Sequence, residues 1–248
     1  MSQPFELSSR YYDLLYQEKD SAAEAAYVDQ LLQRHGIAGR ELLDFGSGTG
    51  RHGCLLASRG YRVHGLERSA AMVAAAQQNY GFSCQQGDIT TTQLSRRFNA
   101  VLSLFHVVSY QTTNPAVQAV FANAAHHLDP GGLFLFDVWY SPAVAAQRPE
   151  TRVKRLHTAD LAITRIAEPT LHTNANRVDV HYTVLAEHTD TGVLDTFTET
   201  HPMRHFSLPE LDLFAQAAGF ERLTAEEWLT GAPPSEATWG VCLVLRKR

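Results

Sequence analysis

The 248-residue sequence has few cysteines, no surplus of basic residues and no long apolar run. Cys54, Cys84 and Cys242 lie far apart without CxxC or zinc-ligand spacing, which predicts free thiols in a reducing compartment and no metal site. A formal net charge of −5 disfavours nucleic acid as a partner, because proteins that read it carry basic patches. No apolar run reaches the length of a membrane span, and residues 1–10 are too polar for a signal peptide. We therefore expect a cytoplasmic protein with neither nucleic-acid nor membrane partners.

Short apolar strands and helices alternate through the first half of the sequence. We predict strands at residues 41–45, 61–66, 82–86, 100–105 and 133–138. One helix with Ser21 as its predicted N-cap precedes the first strand, and helices lie between the strands, one of them with Asn114 as its predicted N-cap. This order predicts an α/β protein with a Rossmann-like, doubly wound and mostly parallel sheet.

The pattern changes after the fifth strand. Residues 161–167, 177–184 and 193–201 alternate apolar and polar side chains, which is typical of half-exposed antiparallel strands. We predict a small antiparallel sheet on the substrate side, inserted over residues 139–206 into a core formed by residues 1–138. Residues 207–248 return to the core with a helix and strands.

A glycine-rich turn is the strongest chemical signal in the sequence. A strand containing Asp44 runs into Gly46-Ser47-Gly48-Thr49-Gly50 and then into a helix. Glycines allow the backbone to turn sharply close to a ligand, and free N–H groups at a helix start hold a carboxylate. Because Asp44 can accept hydrogen bonds from an ammonium group, the motif suits the amino-acid end of S-adenosylmethionine.

Two further acids follow strands of the predicted sheet. Glu67 ends the second strand, at about the distance at which an acid contacts ribose hydroxyls in such folds. Asp88 follows the third strand, where it would accept the adenine amino group while Ile89 packs on the ring. Ligands bind at the carboxyl ends of parallel strands, so the acids should share one site. The remaining residues of the predicted cofactor site are Ser47, Gly48, Arg68 and Met72.

The run from Gly48 to Gly53 also matches GxGxxG, the fingerprint of dinucleotide-binding folds. The first turn residue after the strand is nevertheless Gly46, and Asp44 precedes it. Together with the position of Asp88, this pattern favours S-adenosylmethionine over a nicotinamide cofactor.

On these motifs the sequence resembles the class I S-adenosylmethionine-dependent methyltransferases over nearly the whole chain. Four further segments resemble the N-methyltransferases of nucleotide-linked amino sugars and their relatives in polysaccharide gene clusters: Tyr12-Asp13-Leu14-Leu15-Tyr16, Gly48-Thr49-Gly50-Arg51-His52, Val180-His181-Tyr182, and the block from Glu199 to Phe206. This resemblance implies a small antiparallel sheet beside the active site, methylation of a TDP-sugar amine, often twice, and a homodimer.

By resemblance, Tyr12 lies near the cofactor, and the segment from Phe105 to Tyr110 faces the transferred methyl group. The chain departs from the amino-sugar enzymes at two positions. Tyr110 stands where they carry a histidine, with His106 four residues earlier, and Ser21 replaces an aromatic residue that follows Lys-Asp. These differences leave the acceptor open.

Methyl transfer requires a positioned nucleophile and an acceptor for its proton. We predict His106 as the general base because it follows the fourth strand, with Tyr110 and Tyr11 as further catalytic candidates. His181 and Arg204 are the predicted substrate-binding residues, since arginines of the insert suit a diphosphate. Two alternatives stay open, namely O-methylation of a natural product or sugar and a non-catalytic S-adenosylmethionine-binding scaffold.

Overall fold

The structure, a computed structural model, describes three stretches of the chain: residues 11–16, 19–76 and 81–248. Two side chains within these stretches, those of Tyr12 and Asp13, lie outside the description. The described residues form two compact units. The larger comprises Asp20–Gln147 and His205–Arg248, and the smaller comprises Arg148–Arg204 with the described residues before Asp20.

The helices and strands follow one another along the chain with short connections. In order they are α1 (Tyr12–Leu15), α2 (Ser21–Arg34), β1 (Glu41–Phe45), α3 (Arg51–Ala57), β2 (Arg62–Glu67), α4 (Ala70–Ala75), β3 (Phe82–Gln86), β4 (Phe98–Ser103), α5 (Asn114–His126), β5 (Leu128–Tyr140), α6 (Ser141–Gln147), β6 (Arg152–His157), β7 (Leu161–His172), β8 (Arg177–His188), β9 (Leu194–Phe206), α7 (Leu208–Ala217), β10 (Phe220–Glu227) and β11 (Gly240–Lys247). Two 3-10 turns cover Val107–Tyr110 and Thr173–Ala175. No helix in the described stretches is long and apolar enough to cross a membrane.

The larger unit is built on a parallel sheet in the order β3-β2-β1-β4-β5. Strand β11 pairs antiparallel with β5, and β10 pairs antiparallel with β11. The predicted α/β fold with a mostly parallel, Rossmann-like sheet is confirmed. Its strands are apolar on both sides because both faces are covered: alternate residues of β5 enter different cores, with Phe134 and Phe136 on one face and Leu133 and Leu135 on the other.

The smaller unit is an antiparallel meander in the order β6-β7-β8-β9. Apolar side chains at alternate positions of its strands, among them Ile163, Val184 and Ala186, form a cluster with Tyr11 and Leu15. The last two residues of β9, His205 and Phe206, belong to the larger unit and pair in parallel with the end of β5. The alternation seen in the sequence thus corresponds to a sheet with one apolar face.

The predicted N-caps of α2 and α5 are each wrong by one residue. Asp20, not Ser21, caps α2, because its carboxylate accepts the Ala23 N–H at 2.9 Å. Thr113, not Asn114, caps α5 by accepting the Ala116 N–H at 3.3 Å. In each case two adjacent polar residues compete for the cap, and only backbone geometry decides between them. Helix α6 and strand β6 were not predicted at all.

Candidate active site

The glycine-rich turn between β1 and α3 requires glycine at specific positions. Gly46, Gly48 and Gly50 have φ angles of +72°, +56° and +80°, which side chains disfavour. A Cβ atom on Gly46 would lie 2.6 Å from Val107 Cγ1, and one on Gly50 would lie 2.4 Å from Phe82 Cε1. The nearest atom to a Cβ on Gly48 would be Met72 Sδ, at 4.0 Å. The turn is therefore closely packed on one side and open at Gly48, where a ligand has room.

Asp44 is a buried carboxylate at the start of this turn, with an exposed fraction of 2%. Burial and, after it, the negative charge of Glu67 raise the pKa of Asp44 to about 7 from its ordinary value of 3.8. Among the described residues, no cation or hydrogen-bond donor opposes this shift. A ligand ammonium group would stabilise the charged form, so the site fits the amino-acid end of S-adenosylmethionine.

Glu67, at the end of β2, accepts hydrogen bonds from two different turns. Its Oε2 accepts the Gly48 N–H at 3.0 Å, and its Oε1 accepts the Ser69 N–H at 2.8 Å. Each carboxylate oxygen has two lone pairs, so each can still accept a bond from a ribose hydroxyl. Three other residues of the predicted cofactor site differ in their surroundings. Ser47 Oγ lies 3.3 Å from Cys84 Sγ. Met72 is buried, whereas Arg68 is exposed.

Asp88 follows β3 in a loop that the core holds in place. Its Oδ1 accepts both the N–H and the hydroxyl of Thr90, at 2.8 and 2.5 Å, which leaves Oδ2 for a ligand donor. The buried amide of Asn123 donates to the carbonyls of Ile89 and Thr92, at 2.8 and 3.0 Å. These hydrogen bonds fix the Asp88–Ile89 segment to α5. A segment that binds the flat adenine ring has to be held in place in this way.

His106 follows β4 in an unusual backbone conformation. Phe105 and His106 have φ angles of 64° and 62°, and two successive non-glycine residues in the left-handed region are uncommon. The His106 N–H donates to Asp137 Oδ2 at 3.2 Å, and His106 Nδ1 lies 2.7 Å from the same oxygen. The imidazole is 22% exposed whereas Asp137 is 1% exposed. A buried carboxylate thus orients a histidine whose outer edge reaches solvent.

The larger unit contains most of the predicted site residues, namely Asp44, Gly46, Ser47, Gly48, Glu67, Arg68, Met72, Asp88, Ile89, Phe105, His106 and Tyr110. Tyr110 ends the 3-10 turn and is partly exposed. The four others, Tyr11, Tyr12, His181 and Arg204, belong to the smaller unit. There Tyr11 donates its hydroxyl to Asp195 at 2.9 Å and stacks on Phe197.

Two of the predicted site residues in the smaller unit, His181 and Arg204, lie on β8 and β9. His181 is exposed, and its two ring nitrogens lie 3.2 and 3.0 Å from the hydroxyls of Thr170 and Thr200. Arg204 is buried, at the position of β9 that faces Arg177 across the sheet. The side chain of Tyr12 lies outside the described residues.

Asp137 is the functional residue that the sequence prediction missed. The sequence does contain a signal for Asp137, which is the one charged residue in the apolar run Leu133–Trp139. Acidic side chains are rarely buried in a strand unless they are paired. Its partner His106 is 31 residues away in the chain, so only the fold brings them together. In the described stretches, no group of three or more His, Cys, Asp or Glu residues is arranged to hold a metal ion.

Comparisons with known proteins agree with this geometry. Residues 42–132 match a family described as a methyltransferase domain. The chain is 31% identical over 232 residues to dTDP-3-amino-3,4,6-trideoxy-alpha-D-glucopyranose N,N-dimethyltransferase from Streptomyces venezuelae, covering 90% of this chain and 92% of the relative. It is 30% identical over 231 residues to dTDP-3-amino-3,6-dideoxy-alpha-D-glucopyranose N,N-dimethyltransferase from Streptomyces fradiae, covering 90% and 85%.

Solved structures show the same fold. An amino pentose methyltransferase from Micromonospora echinaspora, with S-adenosylmethionine bound, aligns with a TM-score of 0.78 at 25% identity, covering 100% of this chain and 99% of that one. A sugar N-methyltransferase from a Streptoalloteichus species aligns with a TM-score of 0.80 at 25% identity, covering 96% and 93%. The predicted cofactor, S-adenosylmethionine rather than a nicotinamide, is confirmed. The chain belongs to the class I S-adenosylmethionine-dependent methyltransferases, and within them it resembles the nucleotide-linked amino-sugar N-methyltransferases.

Proposed function

We propose that this enzyme transfers a methyl group from S-adenosylmethionine to the amino group of a nucleotide-linked sugar. The observation that carries the proposal is the identity of 30–31%, over 90% of this chain, to two dTDP-amino-sugar N,N-dimethyltransferases. The geometry supports it, because His106 and its buried partner Asp137 lie in the same unit as the cofactor-binding residues.

When bound, S-adenosylmethionine supplies a methyl group on a positively charged sulfur, which is an electrophile ready for displacement. The protein then has to hold the amine in line and remove its proton. Asp137 Oδ2 accepts the His106 backbone N–H and lies 2.7 Å from Nδ1, so Nε2 is left to accept the proton, and the negative charge of Asp137 stabilises the resulting imidazolium. In the bound complex Asp44 would hold the ammonium of the cofactor, Glu67 its ribose, and Asp88 with Ile89 its adenine.

The remaining site residues have supporting roles in this proposal. We propose that Tyr110 and Phe105 flank the reacting groups beside His106, that Tyr11 assists catalysis and that Tyr12 contacts the cofactor. His181 and Arg204 bind the substrate, with Arg204 directed to a phosphate group. We also propose that the enzyme acts as a homodimer in the cytoplasm.

One observation favours a second candidate acceptor, a sugar hydroxyl. A hydroxyl has to lose its proton as it attacks, so it gains more from a general base than an amine does. The His106–Asp137 pair would serve that reaction equally well. The two acceptors differ in one atom and are therefore separable by experiment.

Mass spectrometry of reaction mixtures tests the proposal. Purified enzyme and S-adenosylmethionine are incubated with a dTDP-3-amino sugar, a dTDP-4-amino sugar or the matched dTDP-hydroxy sugar. We expect one or two added methyl groups on an amino sugar and none on the hydroxy sugar. Methylation of the hydroxy sugar alone would replace the amine by the second candidate, and no transfer to any of them would exclude this substrate class.

A further inference from the structure

The β3–β4 connection, residues 87–97, contains Asp88 and Ile89, which we assign to the adenine of the cofactor. All of its residues are described, and they form turns but no helix. Connections between parallel strands are usually helical, and a helix satisfies most of its own backbone hydrogen bonds. Without a helix, the β3–β4 connection depends on partners from other elements of the larger unit for its position.

The C-terminal end of α5 supplies these partners. The amide of Asn123 donates to two carbonyls of the β3–β4 connection, and His127 follows four residues later. His127 Nε2 accepts the Leu94 N–H at 2.8 Å, and the His127 carbonyl accepts the Phe98 N–H at 2.8 Å. Positions four apart lie on the same face of a helix, so both side chains reach the same connection.

The hydrogen bonds of His127 define which of its ring nitrogens carries the proton. Because a backbone N–H only donates, Nε2 has to be unprotonated to accept the bond from Leu94. Nδ1 lies 2.8 Å from the Asn123 carbonyl, which only accepts, so the proton is on Nδ1. Burial lowers the pKa of His127, which favours this neutral form.

The core fixes the orientation of the His127 ring. His127 is fully buried, and its ring meets that of Phe45 at nearly a right angle, with centroids 6.1 Å apart. Phe98 packs against the same ring at 6.1 Å. Phe45 ends β1, directly before the glycine-rich turn. His127 therefore sets the distance between the sheet and the β3–β4 connection.

We infer that His127 is a positioning residue for adenine recognition: by accepting the Leu94 N–H, it keeps Asp88 where the 6-amino group of adenine can donate to it. Since His127 is fully buried, it acts through the β3–β4 connection. The inference rests on the proposed placement of the adenine, and not on the identity of the methyl acceptor. An acid in a fixed position rejects a base that has an oxygen in place of the amino group, whereas an acid in a loosened segment rejects it less.

Calorimetric titration with two ligands tests the inference. S-adenosylhomocysteine has the 6-amino group, and S-inosylhomocysteine has an oxygen in its place. The unmodified protein should bind the first about tenfold more tightly. His127→Asn can keep the bond to the Asn123 carbonyl but leaves the Leu94 N–H without its acceptor. It should weaken S-adenosylhomocysteine about fivefold and S-inosylhomocysteine little, so that the preference falls.

Three further variants separate this role from general packing. His127→Gln, whose side-chain oxygen can replace Nε2 as the acceptor, should restore most of the preference. His126→Asn is the matched control, because no described hydrogen bond joins the His126 side chain to the β3–β4 connection. Urea denaturation checks that each variant is folded, and His127→Leu, which is apolar like the surrounding core, replaces His127→Asn in the comparison if the latter does not fold.

A preference that is unchanged in His127→Asn, or an equal loss of affinity for both ligands, would overturn the inference, because a general loss of packing does not distinguish the two bases. Asp88→Ala tests the placement of the adenine separately and should abolish the preference. If Asp88→Ala lowers the preference and His127→Asn does not, the placement stands and the positioning role fails. If neither variant lowers it, the proposed placement fails as well.

Discussion

Asp44 in the larger unit and Glu199 in the smaller unit are both buried carboxylates, and they differ in their surroundings. Glu199 Oε2 lies 3.1 Å from His201 Nε2, on the same strand. Asp44 faces another acid, Glu67, and its pKa rises to about 7. The smaller unit supplies a hydrogen-bonding partner for its buried acid, whereas the described residues of the larger unit supply none that offsets the burial of Asp44.

The difference indicates where the ligand binds. A buried charge without a partner lowers stability, so it persists where a bound molecule supplies the partner. The same unit contains the consecutive left-handed residues Phe105 and His106, a local strain that is typical of functional sites. The larger unit is therefore organised around molecules that it has to bind, and the smaller unit's acid around its own sheet.

The largest expected effect is a loss of unfolding free energy at the glycine-rich turn. Two glycine variants distinguish the cost of steric crowding from the cost of backbone strain. Gly46 and Gly36 have nearly equal φ angles, +72° and +71°, but an added Cβ meets Val107 at Gly46 and nothing within 4 Å at Gly36. Gly36→Ala should cost about 1 kcal/mol of unfolding free energy, from strain alone, and Gly46→Ala roughly 3–4 kcal/mol. Urea denaturation measures both. Equal losses would mean that Val107 moves aside and the turn is not closely packed.

The next effect concerns cofactor affinity. Asp44→Asn removes the charge that holds the ligand ammonium, so S-adenosylhomocysteine should bind about a hundredfold more weakly at pH 8. Asp29→Asn is the matched control, because Asp29 lies on α2 and bonds Tyr61 and Arg59, neither of which belongs to the predicted cofactor site. Calorimetric titration measures both affinities. A loss shared by the two variants would reflect net charge and not the site.

Neutralising the buried acid of each unit should change the stability of the protein in opposite directions. Folded Asp44 keeps its proton up to about pH 7, whereas the unfolded chain releases it near 3.8. Stability therefore falls as pH rises between these values, and Asp44→Asn, which cannot ionise, should exceed the unmodified protein by roughly 2–4 kcal/mol above pH 7 and by little at pH 4. Glu199→Gln should instead lose about 1–3 kcal/mol, because it breaks the pair with His201.

Denaturation of the ligand-free proteins from pH 4 to pH 8 checks this contrast. If Asp44→Asn were destabilising at every pH, Asp44 would have a structural partner and the comparison between the two acids would fail.

The smallest expected effect tests Asp137 as a positioning residue. Asp137→Asn keeps the shape but removes the charge that orients His106, so kcat should fall roughly tenfold, less than for His106→Ala, with KM little changed. Adding Asp137→Asn to His106→Ala should lower kcat no further than His106→Ala alone, because a positioning residue acts only through the histidine. Losses of kcat that add in the double variant would indicate that Asp137 has a packing role only.

Local signals in the sequence were enough for much of the fold and the cofactor site. Strands β1 and β3 have the predicted bounds, because each is a short apolar run between turn residues. The glycine turn and the three acids were readable because each lies next to a strand end. Contacts between distant segments could not be predicted in this way, because only the folded chain brings the residues together. Examples are His106 with Asp137, and Tyr11 with Asp195, the second pair being 184 residues apart.

Calorimetric titration of the unmodified protein with S-adenosylmethionine, S-adenosylhomocysteine and NADH tests the central claim most directly. The site formed by Asp44, Glu67 and Asp88 should bind both adenosyl ligands with micromolar affinity, more tightly as pH rises from 6 to 8 and Asp44 loses its proton. NADH should give no saturable heat. Saturable binding of NADH, or no binding of either adenosyl ligand to folded protein, would contradict the account.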